Sequence, residues 1–316
     1  MKALAIDVGG TKIYNTIVDE NGNIVANVEK HSTPKTFDGI REILMNIIKS
    51  HENEADVVAI ATAGSVNNEN TAILGSTGNI AEGYPKMDFM SLSSKKVFVE
   101  NDANAAAWAE HIIGVSKDCS DSVMLTLGTG VGGGIIVNNK LLKGKNGAAG
   151  EMHFKMYPDK RRKCTCGAYD CFEAYASGTG LRKTAVELTG NPDVTTYDVI
   201  NEVNAVLKHP ETSGGISKTD ILRTASDDKY IQAFLKWQDD ILTGCIGLAN
   251  LFDTCMIVLS GSMAEFVDID YIEKELNKEI VTTYTKVRKA TAGNYAGMIG
   301  AALLAMNVGL KNERNC

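Results

Sequence analysis

The sequence predicts a duplicated α/β architecture with a cleft between its halves. Two observations carry this. Three consecutive strands followed by helix are expected once from residue 2 and again from residue 122. The first strand of each set runs into a glycine-rich turn, "IDVGGTK" (6–12) and "LTLGTGVGGGI" (125–135). One irregular α/β domain is the plainer alternative. A dinucleotide-binding domain is not expected, because there the first strand leads directly into a helix.

Residues 2–7 read as a short apolar strand, and "KIYNTIVD" (12–19) follows with rough alternation. "NGN" (21–23) is a hairpin signal, since Asn and Gly tolerate positive φ, so 24–30 reads as the third strand. Residues 37–51 carry Ile40, Ile43, Leu44, Ile47 and Ile48 at helical spacing, with Asp38 near the N-cap. Buried strands are expected at 56–64 and 95–102, and an alanine-rich helix runs to a stop at Gly114. The second set comprises strands at 122–128, 132–138 and 140–144. Helices follow at about 172–188, 195–207 and 229–252, then a strand at 255–261 and an apolar helix at 297–306.

Hydrophobic residues make up 44% and charged residues 22% of the 316, the composition of a folded globular chain. A net charge of −7 argues against a protein whose main task is to bind nucleic acid. No stretch approaches the roughly 18–20 apolar residues of a membrane span, and the opening apolar run is too short for a signal peptide. Seven cysteines, four of them scattered, suit a reducing cytoplasm better than a disulfide framework. A cytoplasmic location is therefore expected.

Glycine lets a backbone approach a phosphate closely and turn its N–H groups toward it, and threonine hydroxyls add donors. Gly9, Gly10, Thr11 and Lys12 offer this in the first turn, and Gly128, Thr129 and Gly130 in the second. Asp7, at the strand end, could hold a metal ion beside those phosphates. Neither turn is a Walker loop, and a glycine hairpin taken singly is more often only a hairpin. In "VFVENDANAAAWAE" (97–110), Asn101 and Asp102 fall where a buried strand gives way to a helix. A carboxylate there can meet a ligand, or it can simply cap the helix. "CTCGAYDC" (164–171) places three cysteines in eight residues. They could hold a metal, form a disulfide, act as a thiol catalyst or merely pack. The adjacent "KRRK" (160–163) reads most simply as a solvated loop, with attraction of an anionic sugar as the sharper alternative.

"DVGGTK", "ENDANAAA", "LGTGVGGGIIVNNKLLKGKNGAAGE" and "CTCGAYDCFEAYASG", in this order, closely resemble the ROK family of bacterial sugar kinases and sugar-responsive repressors. The resemblance runs from about residue 3 to 180 and continues more faintly through "VLSGSMAE" (258–265) to the last helix. It implies duplicated actin-like (ribonuclease H-like) ATPase domains, one of residues 1–117 plus 291–316 and one of residues 118–290. It also implies ATP and Mg²⁺, a homodimer, and phosphorylation of a hexose or N-acylhexosamine. Asp102 would be the general base and Asn101 would bind a sugar hydroxyl. Glu151 and Glu173 would accept sugar hydroxyls, with Gly64 and Asn79 in other sugar-contacting segments. Gly9, Gly10, Thr11 and Lys12 would meet the phosphates from one side and Gly128, Thr129 and Gly130 from the other. Mg²⁺ would lie near Asp7, and Gly261 would be on the adenosine side.

Many relatives hold a structural zinc with a histidine and three cysteines, which here correspond to Cys164, Cys166 and Cys171. The family's histidine lies in a Glu-x-Gly-His pattern, whereas this chain reads "GEMHF" (150–154), with Phe154 at the usual position and His153 before it. The expectation is that His153 completes the zinc site and serves as the imidazole near the sugar. A metal-free loop of reduced thiols is the competitor. Repressors of the family carry a winged helix-turn-helix before the first strand. A first strand expected at residue 2 leaves no room for it, so a kinase is expected rather than a regulator, with a non-catalytic sugar sensor as the alternative.

Overall fold

The computed structural model describes residues 1–75, 80–208, 217–224 and 227–307. Backbone contacts divide the chain into two units. The first comprises 1–120, 134–150 and 290–316, and the second comprises 121–133 and 151–289. The stretch 134–150, assigned from sequence to the second domain, thus groups with the first.

The first unit is built on β1 (Lys2–Val8), β2 (Lys12–Asp19), β3 (Glu29–Ser32), β4 (Val57–Thr62) and β5 (Val97–Asn101), in the order β3-β2-β1-β4-β5. β1 pairs antiparallel with β2 and parallel with β4, and β4 pairs parallel with β5. The alternation in "KALAIDV" sorts the two faces of the sheet. Leu4, Ile6 and Val8 share a core with Ile40, Leu44, Ile47 and Ile48 of α1 (Phe37–Ser50). Ala3 and Ala5 face the other way, with Ala59, Ala61 and Ala105, against Met298, Ala301 and Ala302. Those last three belong to α9 (Ala296–Ala305), which packs beside α2 (Asp102–Ile112). Alanine on both surfaces lets these two helices lie close to the sheet. The third strand starts at Glu29 rather than 24. After the Asn21–Gly22 turn, Ile24 forms only an isolated bridge to Val18, and Thr16 then takes the Ala26 carbonyl, so the chain leaves the ladder before rejoining it.

The remaining strands are β6 (Ser122–Leu127), β7 (Val131–Val137), β8 (Lys140–Leu141), β9 (Met256–Ser260) and β10 (Lys286–Lys289), in the order β10-β9-β6-β7-β8. Read from the other edge, this repeats the first sheet: hairpin partners on one side of the leading strand, parallel partners on the other. Between β8 and β9 lie α3 (Glu173–Ala176), α4 (Gly178–Thr189), α5 (Thr196–Leu207), α6 (Lys218–Arg223) and α7 (Lys229–Phe252), while α8 (Ile269–Glu279) joins β9 to β10. The helix expected over 172–188 is broken at Ser177, whose hydroxyl caps α4 by accepting the Gly180 N–H. The fully buried Trp237 of α7 donates its indole N–H to Ala176 O at 2.8 Å and fixes that break. β10, α6 and α8 were not expected from sequence. Of these, β10 is a four-residue strand, "KVRK", whose single apolar residue, Val287, gives no periodicity to read.

Candidate active site

In the first unit, the register of the parallel strands brings acids to one edge. Asp7 pairs with Ala61 and Ala61 with Glu100, so the end of β1 and the β5–α2 corner come out side by side. Asn101 is the helix cap: its Oδ1 accepts the N–H groups of Ala103 and Asn104 at 3.0 Å each. Asp102 is the first helical residue and exposed, although its Oδ1 also accepts the Ala103 N–H at 2.8 Å. Capping of α2 therefore falls mainly on Asn101. Asn101 Nδ2 donates to Gly64 O at 3.2 Å, which brings Gly64 to the corner; Asn79 lies outside the described residues. Burial, reinforced by the negative charge of Asp102, pushes Asp7 up to about 7. A cation beside Asp7 would relieve both causes, so the residues fit a divalent ion. The first glycine turn is closed by Gly9 N–H on Lys12 O, 3.0 Å, and by Thr33 Oγ1 on Gly9 O, 2.7 Å. Thr11 and Lys12 are exposed beyond it.

In the second unit the turn between β6 and β7 is closed by Gly128 N–H on Gly130 O, 3.0 Å. It is braced by the start of α4, where Gly178 N–H reaches Gly128 O at 2.8 Å and Thr179 Oγ1 reaches Thr129 O at 2.7 Å. A pocket of about 410 Å³ opens here, lined by Gly128 and Thr129 together with Gly178, Arg182, Thr196, Tyr197 and Ser262. A helix N-terminus beside a glycine turn favours anions. Gly261 adopts φ +86°, and a Cβ there would meet Leu127 O at 2.3 Å, so the strand can pass the turn only with glycine. Apart from Gly128 and Thr129, the lining residues named here were not identified from sequence. "SGTG" (177–180) was the available signal, hidden within an expected continuous helix.

Glu173 opens α3 with one oxygen on the Val131 N–H at 3.1 Å and the other accepting from Thr165 and, at 3.3 Å, from Cys164 Sγ. Burial alone would raise its pKa, but these donors outweigh it and hold the carboxyl below its ordinary range. The same loop brings together His153, Cys164, Cys166 and Cys171, one ligand atom of each lying within 4.8 Å of all the others. Cys166 Sγ is 3.5 Å from Cys171 Sγ, and Cys164 Sγ is 3.6 Å from His153 Nδ1. Tetrahedral zinc with bonds of about 2.3 Å needs sulfurs about 3.8 Å apart. A Cys₃His donor set at this spacing fits zinc. Burial pushes Cys164 up to about 12, a cost that a bound cation reverses. His153 Nε2 lies 3.6 Å from Glu151, so its ring links the cluster to that carboxylate. Phe154 instead stacks on the buried Phe172, centroids 5.0 Å apart.

The loop is anchored by "KRRK", which is not merely a solvated run. Arg162 is 5% exposed and donates to Glu187, Thr184 and the carbonyls of Ala174 and Gly180. Arg161 lies 4.1 Å from the Tyr157 ring, whose hydroxyl bonds Asp240. Glu100, which nothing in the sequence singles out, is a buried carboxylate that accepts from Asn101 N–H and Lys143.

The structure thus groups the expected residues into two sets. Asp7, Gly9, Gly10, Thr11, Lys12, Gly64, Asn101 and Asp102 lie in the first unit, and Gly128, Thr129, Gly130, Glu151, His153, the three cysteines, Glu173 and Gly261 in the second. The family model described as "ROK family" matches residues 3–308. A glucokinase of Streptomyces coelicolor is 32% identical over 96% of each chain. An N-acetylmannosamine kinase of Salmonella heidelberg is 31% identical over 96% of this chain and 98% of its own. The crystal structure of a ROK family glucokinase from Streptomyces griseus, in complex with glucose and AMPPNP, superposes with a TM-score of 0.74 at 31% identity, over 97% of this chain and 100% of that one. The chain has the actin-like α/β ATPase fold expected from its sequence, and it belongs to the ROK family.

Proposed function

We propose that Asp102 is the general base with which this ATP-dependent sugar kinase transfers the γ-phosphoryl group of ATP to a hydroxyl of a hexose or N-acylhexosamine. The observation that carries this reading is the β5–α2 corner. An exposed carboxylate stands there on a rigid strand–helix junction, beside a second acid at Asp7, while the neighbouring Asn101 caps the helix. The sugar hydroxyl oxygen bonds to the γ-phosphorus, the bond to the β–γ bridging oxygen breaks, and the hydroxyl proton passes to Asp102. Phosphoryl transfer needs little covalent help from the protein, so positioning and charge neutralisation supply most of the effect.

Asn101, Gly64, Asn79, Glu151, Glu173 and His153 are read as sugar contacts. Gly9, Gly10, Thr11 and Lys12, with Gly128, Thr129 and Gly130, are read as phosphate contacts. The pocket beside Gly128 and Gly261 would take the adenosine, and its helix N-terminus and Arg182 suit a polyanion. Asp7 would hold Mg²⁺, which when bound neutralises charge on the phosphates. Zinc held by His153, Cys164, Cys166 and Cys171 would stiffen the loop that carries Glu151 and Glu173. A homodimer in a reducing cytoplasm completes the reading. No helix among the described residues is long and apolar enough to cross a membrane. That curated relatives at 30% identity or more act as kinases favours this reading over a sensor.

The test is ADP release from Mg·ATP against glucose, mannose, fructose, allose, N-acetylglucosamine and N-acetylmannosamine, with Asp102→Asn as control. Turnover with one sugar, lost in the variant, supports the assignment. A variant retaining more than about a tenth of the rate overturns Asp102 as base.

A further inference from the structure

Glu100 belongs to the same "END" triplet as Asn101 and Asp102, yet the proposed reaction gives it no task. It is 1% exposed at the end of β5. Oε1 accepts the Asn101 backbone N–H at 2.9 Å and Asn104 Nδ2 at 3.3 Å. Oε2 accepts Asn70 Nδ2 at 2.7 Å and Lys143 Nζ at 2.9 Å. Lys143 is itself largely buried and donates again to Asn67 O at 2.9 Å. A buried carboxylate is tolerable only when its oxygens are met by donors, and here the donors come from three separate stretches of chain.

Those stretches are tied to one another as well. Asn68 Nδ2 donates to the carbonyls of Gly144 and Lys145 at 3.1 and 3.0 Å. Asn70 Nδ2 also donates to Val99 O at 2.7 Å. Gly147, at φ +78°, comes so close to Val66 that a Cβ would sit 1.8 Å from its carbonyl oxygen. Asn101 reaches Gly64 O from the far end of the same loop. The segment 143–147 is therefore laid on the 64–70 loop, and one lysine joins both to the carboxylate beneath the Asn101–Asp102 corner.

We propose that Lys143, clamped on Glu100, is a positioning residue for sugar phosphorylation. It holds the Asn101–Asp102 corner and the 64–70 loop in the arrangement in which both address the sugar. The proposal rests on the reading of Asp102 as general base. A pair kept only for stability has a different signature. Buried ion pairs give little net stability over apolar replacements, and losing one lowers Tm without singling out one substrate.

The experiment compares Lys143→Met, Lys143→Arg and Glu100→Gln with the wild type and Asp102→Asn. It reads kcat, separate KM values for sugar and ATP, and amide hydrogen exchange. Lys143→Met is expected to raise the sugar KM tenfold or more and to leave the ATP KM within threefold. Exchange should quicken in 64–70 and 101–104 before the rest of the first unit. Glu100→Gln should follow it, and Lys143→Arg should recover most of the loss. A folded Lys143→Met with wild-type sugar KM and unchanged exchange in those stretches overturns the proposal, whatever its Tm. If Lys143→Met does not fold, the double variant Glu100→Gln/Lys143→Met, which removes both charges, carries the same comparison. Loss of the Asp102→Asn effect with the Lys143→Met effect intact removes the base and leaves the clamp. The reverse removes the clamp alone. A wild type inert to every sugar removes the kinase reading, and the exchange data then decide the clamp by themselves.

Discussion

The two glycine turns occupy the same place in two sheets of the same strand order, and they differ in what surrounds them. The turn after β1 is bordered by carboxylates, Asp7 at the strand end and Asp102 on the corner beside it. The turn after β6 is bordered by the N-terminus of α4 and by a pocket with Arg182 on its wall. One setting suits a cation and a proton acceptor, the other a polyanion. On the reading proposed above, duplication of the backbone goes with a division of the chemistry: proton transfer and the metal would belong to the first turn, the adenosine to the second, and the phosphates to both.

The sharpest way to break that division is Asp102→Asn. It should lower kcat by about 10²–10⁴ while the Kd for ATP stays near wild type, as measured by steady-state kinetics and calorimetry. Loss of ATP affinity instead would mean that Asp102 itself helps to hold the nucleotide rather than acting on the sugar proton. Ser262→Phe, which fills the pocket of the second setting, should raise the ATP KM at least tenfold, about 1.4 kcal/mol of lost binding, with sugar affinity unchanged. Protein purified without chelator should carry close to one zinc per chain. Stripping it, or Cys164→Ser, should raise the sugar KM severalfold through Glu173 and lower Tm by several degrees, while the ATP KM holds. Metal well below one per chain removes the zinc assignment.

The smallest effect concerns Asp7. A carboxyl raised to about 7 in the folded chain keeps a proton that the unfolded chain has already released near pH 4. Its cost to stability therefore grows as pH rises from about 4 to about 7 and is constant above. Asp7→Asn, without nucleotide or Mg²⁺, should raise Tm by a few degrees at about pH 8 and by less at about pH 5. Equal gains at both values would show that Asp7 titrates normally.

Much of the fold could be read from the sequence because the strands are short, apolar and punctuated by glycine, and α7 was delimited over Lys229–Phe252 as it stands. The third strand was misplaced because the pattern at 24–28 is equally apolar on and off the ladder. The break at Ser177 is fixed by tertiary bonds that sequence does not show, from Trp237 to Ala176 O and from Gly178 to Gly128 O. Of the site, Asn101 and Asp102 could be read from their place at a strand–helix junction, and the glycines and the cysteines because those residue types are conformationally special or scarce. Glu100, Lys143 and Arg162 could not be, since nothing local distinguishes a charged residue that will be buried from one left in water. Their partners lie 43 residues apart for Lys143 and Glu100, and 25 for Arg162 and Glu187.

The two sheets share a strand order but differ most in the length of the crossing from third strand to fourth. In the first sheet it covers only residues 33–56, and in the second it covers 142–255. That long crossing carries Cys164, Cys166 and Cys171, Glu151, Glu173 and four of the seven pocket residues named above. On the proposed reading, the ligand contacts of the second unit are therefore encoded largely in a single contiguous stretch. Such a stretch could change in length or sequence without altering the register of β6 on β9.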